Sequence, residues 1–129
     1  LITYSSKNID MKSERVARVA LSTFFNIMRE WSIKETQQIA LLAAPSPKVF
    51  KDWNNNIVTS LNPDTLIRIS YIIRIYKYLG ILFPKRKQAN DWIWKPNKDL
   101  EGASAINIMS SGQLSKMHQV VEYLNNQLK

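Results

Sequence analysis

The chain has 129 residues, 18 Lys and Arg against 10 Asp and Glu, and no cysteine. The lack of cysteine excludes disulfide staples and thiolate metal sites and fits a cytoplasmic setting. A single histidine, His118, leaves no histidine cluster for a metal. A net charge of +8 in so small a chain points to a polyanionic partner, nucleic acid first, while 45% hydrophobic residues allow a packed core.

Residues 1–9 read as a loose, flexible arm, without the long apolar run of a signal peptide. From Asp10 to about Trp31, Val16, Ala17, Ala20, Leu21, Phe24, Ile27, Met28 and Trp31 recur at helical spacing. Arg15, Arg18, Ser22, Asn26 and Arg29 take the opposite face. "SIKE", 32–35, has the form of a capping box, with Ser32 as cap and Glu35 reaching back, and opens a second helix to about Ala43. Pro45 stops it. Ser46 caps a third helix with Pro47 in its first position, and the helix ends in three asparagines, 54–56. Asn62 and Pro63 repeat that signal for a fourth helix, which Gly80 can end. Only Ser70, Arg74 and Lys77 form a polar stripe on it, so this helix is expected at the centre of the molecule. Arg68 lies within its apolar arc and requires a partner or an escape to solvent. The stretch carries too much charge for a membrane span.

Pro84 begins a fifth helix. The passage "WKPNKDLEGASAINIMSSG", 94–112, then holds two of the three glycines, a Pro96-Asn97 turn, a cap at Ser104 and a break at Gly112. A last helix carries Leu114, Met117, Val121, Leu124 and Leu128 at steps of 3, 4, 3 and 4. That seam can pack internally, dimerise or dock on a partner. His118 and Glu122 stand four apart as a surface pair, and Lys85, Arg86 and Lys87 form a solvated run. No strand-like alternation appears, so the fold class is all-α, a single body with two functional halves. Nothing resembles a nucleophile with a partnered base, a metal cluster or a phosphate-cradling glycine loop. Neither an enzyme nor a cofactor is expected.

Residues 33–55 have the size of a helix-turn-helix. Ala40 is the small residue where the two helices would touch, with Ala43, Phe50 and Trp53 plugging the angle between them. On that reading Ser46, Lys48, Lys51, Asn54 and Asn55 face DNA. The turn has Ala44 where glycine is usual, and Asp52 puts a negative charge on the reading helix.

"RISYIIRIYKYLGILFP", "ANDWIWKPN", "GASAINIM" and "VVEYL" together resemble the Xre/MbcA/ParS antitoxin family, over roughly residues 33–124. The ordered series Trp92, Pro96, Asn97, Gly102, Ser104 and Gly112 carries the likeness. It departs from the family at Glu101, where glycine is frequent, and at Ala105-Ile106-Asn107. The resemblance implies an Xre-like helix-turn-helix region, 10–61, and a small helical toxin-binding and dimerisation domain, 62–129. It implies an antitoxin that blocks an NAD-degrading RES-domain toxin and represses its own operon, as a homodimer on operator DNA. Within that expectation Trp94, Asn97, Tyr123 and Lys129 contact the toxin, and Pro96, Gly102, Ser104 and Gly112 shape the loop. The residues leave two other readings open: a free-standing helix-turn-helix regulator, and a protein-interaction adaptor that does not bind DNA.

Overall fold

A computed structural model describes the backbone of residues 2–129 and the side chains of residues 13–129. The described residues are all-helical. They form α1 (Ile2–Trp31), α2 (Glu35–Leu42), α3 (Pro47–Asn54), α4 (Pro63–Leu82), α5 (Arg86–Trp92), a 3₁₀ turn (Lys98–Leu100), α6 (Ala105–Met109) and α7 (Leu114–Gln127). None of these helices is long and apolar enough to cross a membrane.

α1 buries Ala17, Leu21, Phe24, Met28 and Trp31, a seam of alternating four- and three-residue steps. Val16, expected on the buried face, is instead exposed, and Phe25 is buried in an edge-to-face contact with Phe50 of α3. The helix begins at Ile2, so its backbone runs through most of the stretch read as an arm. No proline or glycine between residues 1 and 43 interrupts the helical phase upstream of Asp10. The side chains of residues 1–12, and Leu1 altogether, lie outside the described residues.

Ser32 does not cap α2. It adopts a left-handed φ of 57° and ends α1. Its N–H donates to Arg29 O (3.2 Å), and Ile33 N–H donates to Met28 O (3.0 Å). This is a Schellman ending, sealed by burial of Ile33 beside Met28. The cap of α2 passes to Lys34, whose N–H donates to the Gln37 side chain at 3.3 Å. α2 ends the same way. Ala43 is left-handed (φ 52°), so the strained turn position is Ala43 and not Ala44. Ala43 is exposed and plugs nothing. α3 closes on the same pattern with Asn56 (φ 64°) and Ile57 N–H to Asp52 O, 2.8 Å. Asparagine tolerates that conformation far better than alanine.

The proline-first starts form as expected. Ser46 Oγ accepts from Val49 N–H (3.2 Å), and Asn62 Oδ1 accepts from Thr65 N–H (2.8 Å). α4 is the central element, packed against α1, α2, α5 and α7. It buries Thr65, Arg68, Ile69, Ile72, Ile75 and Leu79. Gly80 does not end it. The helix continues to Leu82, and a Cβ at Gly80 would lie 2.8 Å from an Arg86 guanidinium nitrogen. Glycine there makes room for Arg86. α5 starts at Arg86, two residues after Pro84, because the backbone at Lys85 is extended. The α7 seam packs inward on α4 and α6, with Met117, Val120, Val121 and Leu124 buried. One hydrophobic cluster runs from Ala17 to Leu124, across the 61/62 boundary.

Arg68 is buried and finds its partner at the rim of the core. Its side chain is 9% exposed, and its Nε donates to Asp64 Oδ2 at 2.7 Å. Nη1 reaches the carbonyls of Ala40 and Leu41 (3.4 Å each) at the end of α2, where the helix dipole favours a cation. The same nitrogen lies 3.9 Å from the sulfur of Met117. One guanidinium thus ties α2, α4 and α7.

Candidate functional site

Two surfaces contain the residues singled out from the sequence. The first is the outer face of α3. Phe50 and Trp53 turn towards α1, which leaves Lys48, Lys51, Asn54 and Asn55 exposed together. Ser46 is half-buried and spends its oxygen on the helix cap. Lys48 is held by Asp52 at 3.1 Å, an exposed pair that partly offsets its charge. The hairpin packing expected for 33–55 does not form as written. α2 lies on α4 and α3 lies on α1. Ala40 also lies towards Gly112: a Cβ at Gly112 would sit 3.4 Å from Ala40 O and 3.9 Å from its Cβ. The end of α2 thus borders the turn before α7.

The second surface is the loop from Ile93 to Gly112. Asn97 holds it closed. Its N–H donates to Ala103 O (3.1 Å), and its carbonyl accepts from Leu100 N–H and Gly102 N–H (2.9 Å each). Its side-chain oxygen accepts from Asp99 N–H at 2.9 Å. Leu100 is buried beneath the loop. Glu101 (φ 61°) and Gly102 (φ 80°) make two consecutive left-handed residues. The first is the position where the resemblance favours glycine, and a non-glycine residue is strained there. Ser104 caps α6 through Asn107 N–H (3.1 Å), and Gly112 turns the chain at φ 80°. Pro96 lies exposed at the outer bend. Asn97 is thus a structural knot of the loop.

Of the residues expected to contact a partner, Tyr123 lies beside Asn97's turn. Its hydroxyl donates to Asp99 Oδ2 (3.1 Å), and its ring stacks on Trp92 at 6.2 Å. Trp92 is half-buried at the end of α5, and Ile93 after it takes the buried position. Lys129 is exposed at the chain end. Trp94 makes its contact with α1. Its Nε1–H donates to Trp31 O at 2.9 Å, at the end of α1, while 41% of the residue stays exposed. A large ring is thereby fixed in orientation and left accessible, as an interface anchor requires.

A cluster beside Trp31 escaped the sequence reading. The Tyr76 ring lies 6.3 Å from Trp31, with the Arg86 guanidinium 4.1 Å above its face. Its hydroxyl donates to Glu30 Oε2 at 2.6 Å. That bond, with burial and the Glu30 charge adding, raises the Tyr76 pKa above its ordinary value, while the Arg86 charge works the other way. These residues are 46 and 10 positions apart in sequence, and no periodicity joins them. His118 pairs with Glu122 (3.5 Å) and lies against Tyr71, both side chains about half exposed.

No protein-family model matches the chain. No solved structure matches it either. The uncharacterized protein y4oB of Sinorhizobium fredii is 38% identical over 107 residues, which cover 83% of this chain and 82% of that protein.

Proposed function

We propose that this chain, which belongs to the same family as y4oB of Sinorhizobium fredii, is a non-enzymatic antitoxin of the Xre/MbcA/ParS kind. In this reading it acts in the cytoplasm, as a homodimer, and needs no cofactor. Its 62–129 half binds and sterically blocks an NAD-degrading RES-domain toxin, and residues 33–55 bind operator DNA. The observation that carries the protein-binding half is Trp94, an indole fixed by its bond to Trp31 O and left 41% exposed on a loop that Asn97 locks. A preshaped anchor loses little freedom on binding. Trp94, Tyr123 and Lys129 supply contacts, and Asn97 acts by holding the loop's shape. Lys48, Lys51, Asn54 and Asn55 supply backbone contacts to DNA, with Ser46 serving as the cap that aims them.

A second reading is favoured by one observation. Lys48 is paired with Asp52, and α2 and α3 pack on separate helices, which suits an adaptor that never touches DNA. Two experiments test the pair of readings. Co-expression with the product of the adjacent open reading frame should rescue growth and preserve NAD, and the two proteins should co-purify. Gel shifts on the upstream sequence should weaken steeply with salt, and Lys48→Ala and Lys51→Ala should each lower the salt slope by about 1. Rescue without any shifted DNA selects the adaptor; neither rescue nor co-purification removes the antitoxin reading.

A further inference from the structure

α4 carries a second seam, on the side away from the core. Ile67, Ser70, Arg74, Lys77 and Ile81 follow one another at steps of 3, 4, 3 and 4. A stripe with that spacing runs straight along a helix and is the geometry by which one helix accepts another. Ile81 is 69% exposed and Ile67 41%, so both apolar ends of the stripe face solvent. Fourteen residues separate them, about 21 Å at 1.5 Å per residue. Between them lie two cations. Arg74 is steadied by its own helix, with Nη2 donating to Tyr78 Oη at 3.0 Å. Neither Arg74 nor Lys77 has a carboxylate partner among the described residues, whereas Arg18, Lys48, Arg68 and Lys87 all do. On α7, His118 stands against Tyr71 of α4, and Glu122 is paired with His118.

We propose that this outer face of α4 is a docking site for an acidic amphipathic helix of another protein. The two isoleucines require aliphatic residues about four turns apart on the partner. Arg74 and Lys77 require carboxylates between them. A second copy of this chain does not meet those requirements. An antiparallel twofold pairing of the segment 67–81 is centred on residue 74, so Arg74 would face Arg74 and Lys77 would face Tyr71, cations brought together on a face without carboxylates. The site depends on neither the operator nor the toxin reading.

The test uses the full chain and a fluorescein-labelled designed helix of about 21 residues, long enough to span the seam. The probe carries leucines to meet the isoleucines and glutamates to meet the cations; a second probe has lysine for every glutamate. The wild-type chain should bind the acidic helix, with affinity falling as salt rises. Arg74→Glu with Lys77→Glu should weaken it about tenfold or more and transfer preference to the lysine probe. Arg15→Glu with Lys34→Glu makes the same change in net charge elsewhere and should alter binding little. Ile81→Ala, at an exposed position where the fold is not at risk, should weaken the acidic probe about threefold or more, since burial of its branched aliphatic side chain is lost. Circular dichroism checks that each variant is folded. The proposal is overturned if the seam variants bind the acidic helix like wild type. It is also overturned if the seam is instead required for self-association, for anionic vesicles or for duplex DNA.

Discussion

Arg68→Ala tests the claim that one guanidinium fastens three helices. The side chain is 9% exposed and Asp64 is 49% exposed, so removing Arg68 leaves a carboxylate that water can still reach. Breaking a fully buried pair costs about 3–5 kcal/mol, an exposed one about 1 or less, and this pair lies between. Two further losses add to it. The carbonyls of Ala40 and Leu41 lose a donor, though at 3.4 Å those bonds are long and worth at most about 1 kcal/mol together. The buried side chain, whose Nη1 lies 3.9 Å from the Met117 sulfur, leaves a cavity worth about 1–2 kcal/mol. The total is about 3–4 kcal/mol. Arg68→Met fills the space and should cost about half as much. Asp64→Ala should cost about 1 kcal/mol, because Arg68 keeps its bonds to the end of α2. Urea unfolding followed by circular dichroism measures all three from the shift in midpoint at constant slope. If Arg68→Ala costs no more than Asp64→Ala, the cross-element contacts contribute nothing and the argument fails.

Ala43→Gly should stabilise the chain by about 0.5–1 kcal/mol in the same assay, since Ala43 sits exposed at φ 52°. Trp94→Phe should keep the ring but lose the bond to Trp31 O, costing about 1 kcal/mol of stability; Trp94→Ala should weaken partner capture at least tenfold in a pull-down titration. Tyr76 should titrate above the ordinary tyrosine value by ultraviolet absorbance, and Glu30→Gln should reduce the shift by removing the carboxylate charge. Its pKa is raised in the folded chain, so the stabilisation is fully present below the unfolded value of about 10 and fades as pH climbs through the folded one. Cutting the chain between residues 61 and 62 should leave neither half cooperatively folded by calorimetry, because α1 and α4 share one core across that point.

Most elements were legible because their signals are local. The Ser46-Pro47 and Asn62-Pro63 starts need only the residues that form them, and both caps appear in the structure. The α1 and α7 seams follow from spacing, with slips at Val16, which is exposed, and Val120, which is buried beyond the predicted stripe. Failures came where a local signal lost to a neighbour. Ser32 has the composition of a cap, but the burial of Ile33 drives a left-handed ending there and moves the cap to Lys34. Gly80 reads as a stop, yet the room it leaves for Arg86 concerns a residue six positions on. In the candidate site, Ser104, Gly102 and Gly112 were readable from capping and backbone freedom. That Asn97 would close its own loop, that Trp94 would hang from Trp31 and that Ala40 would seat Gly112 depends on contacts made only once the chain has folded.

The tie made by Arg68 also bears on how the two proposed binding surfaces can share one small body. The end of α2 lies just before the cap of α3, the helix that presents Lys48, Lys51, Asn54 and Asn55. The turn at Gly112 lies just before α7, the helix that presents Tyr123. Ala40 meets Gly112 directly, and Arg68 bridges the same α2 carbonyls to Met117 of α7. A displacement of α7 on binding a partner would have to be taken up at those contacts, because a close-packed core does not absorb it. The two surfaces are therefore mechanically continuous, and a ligand at one can alter the other through these contacts if it binds two arrangements of them unequally.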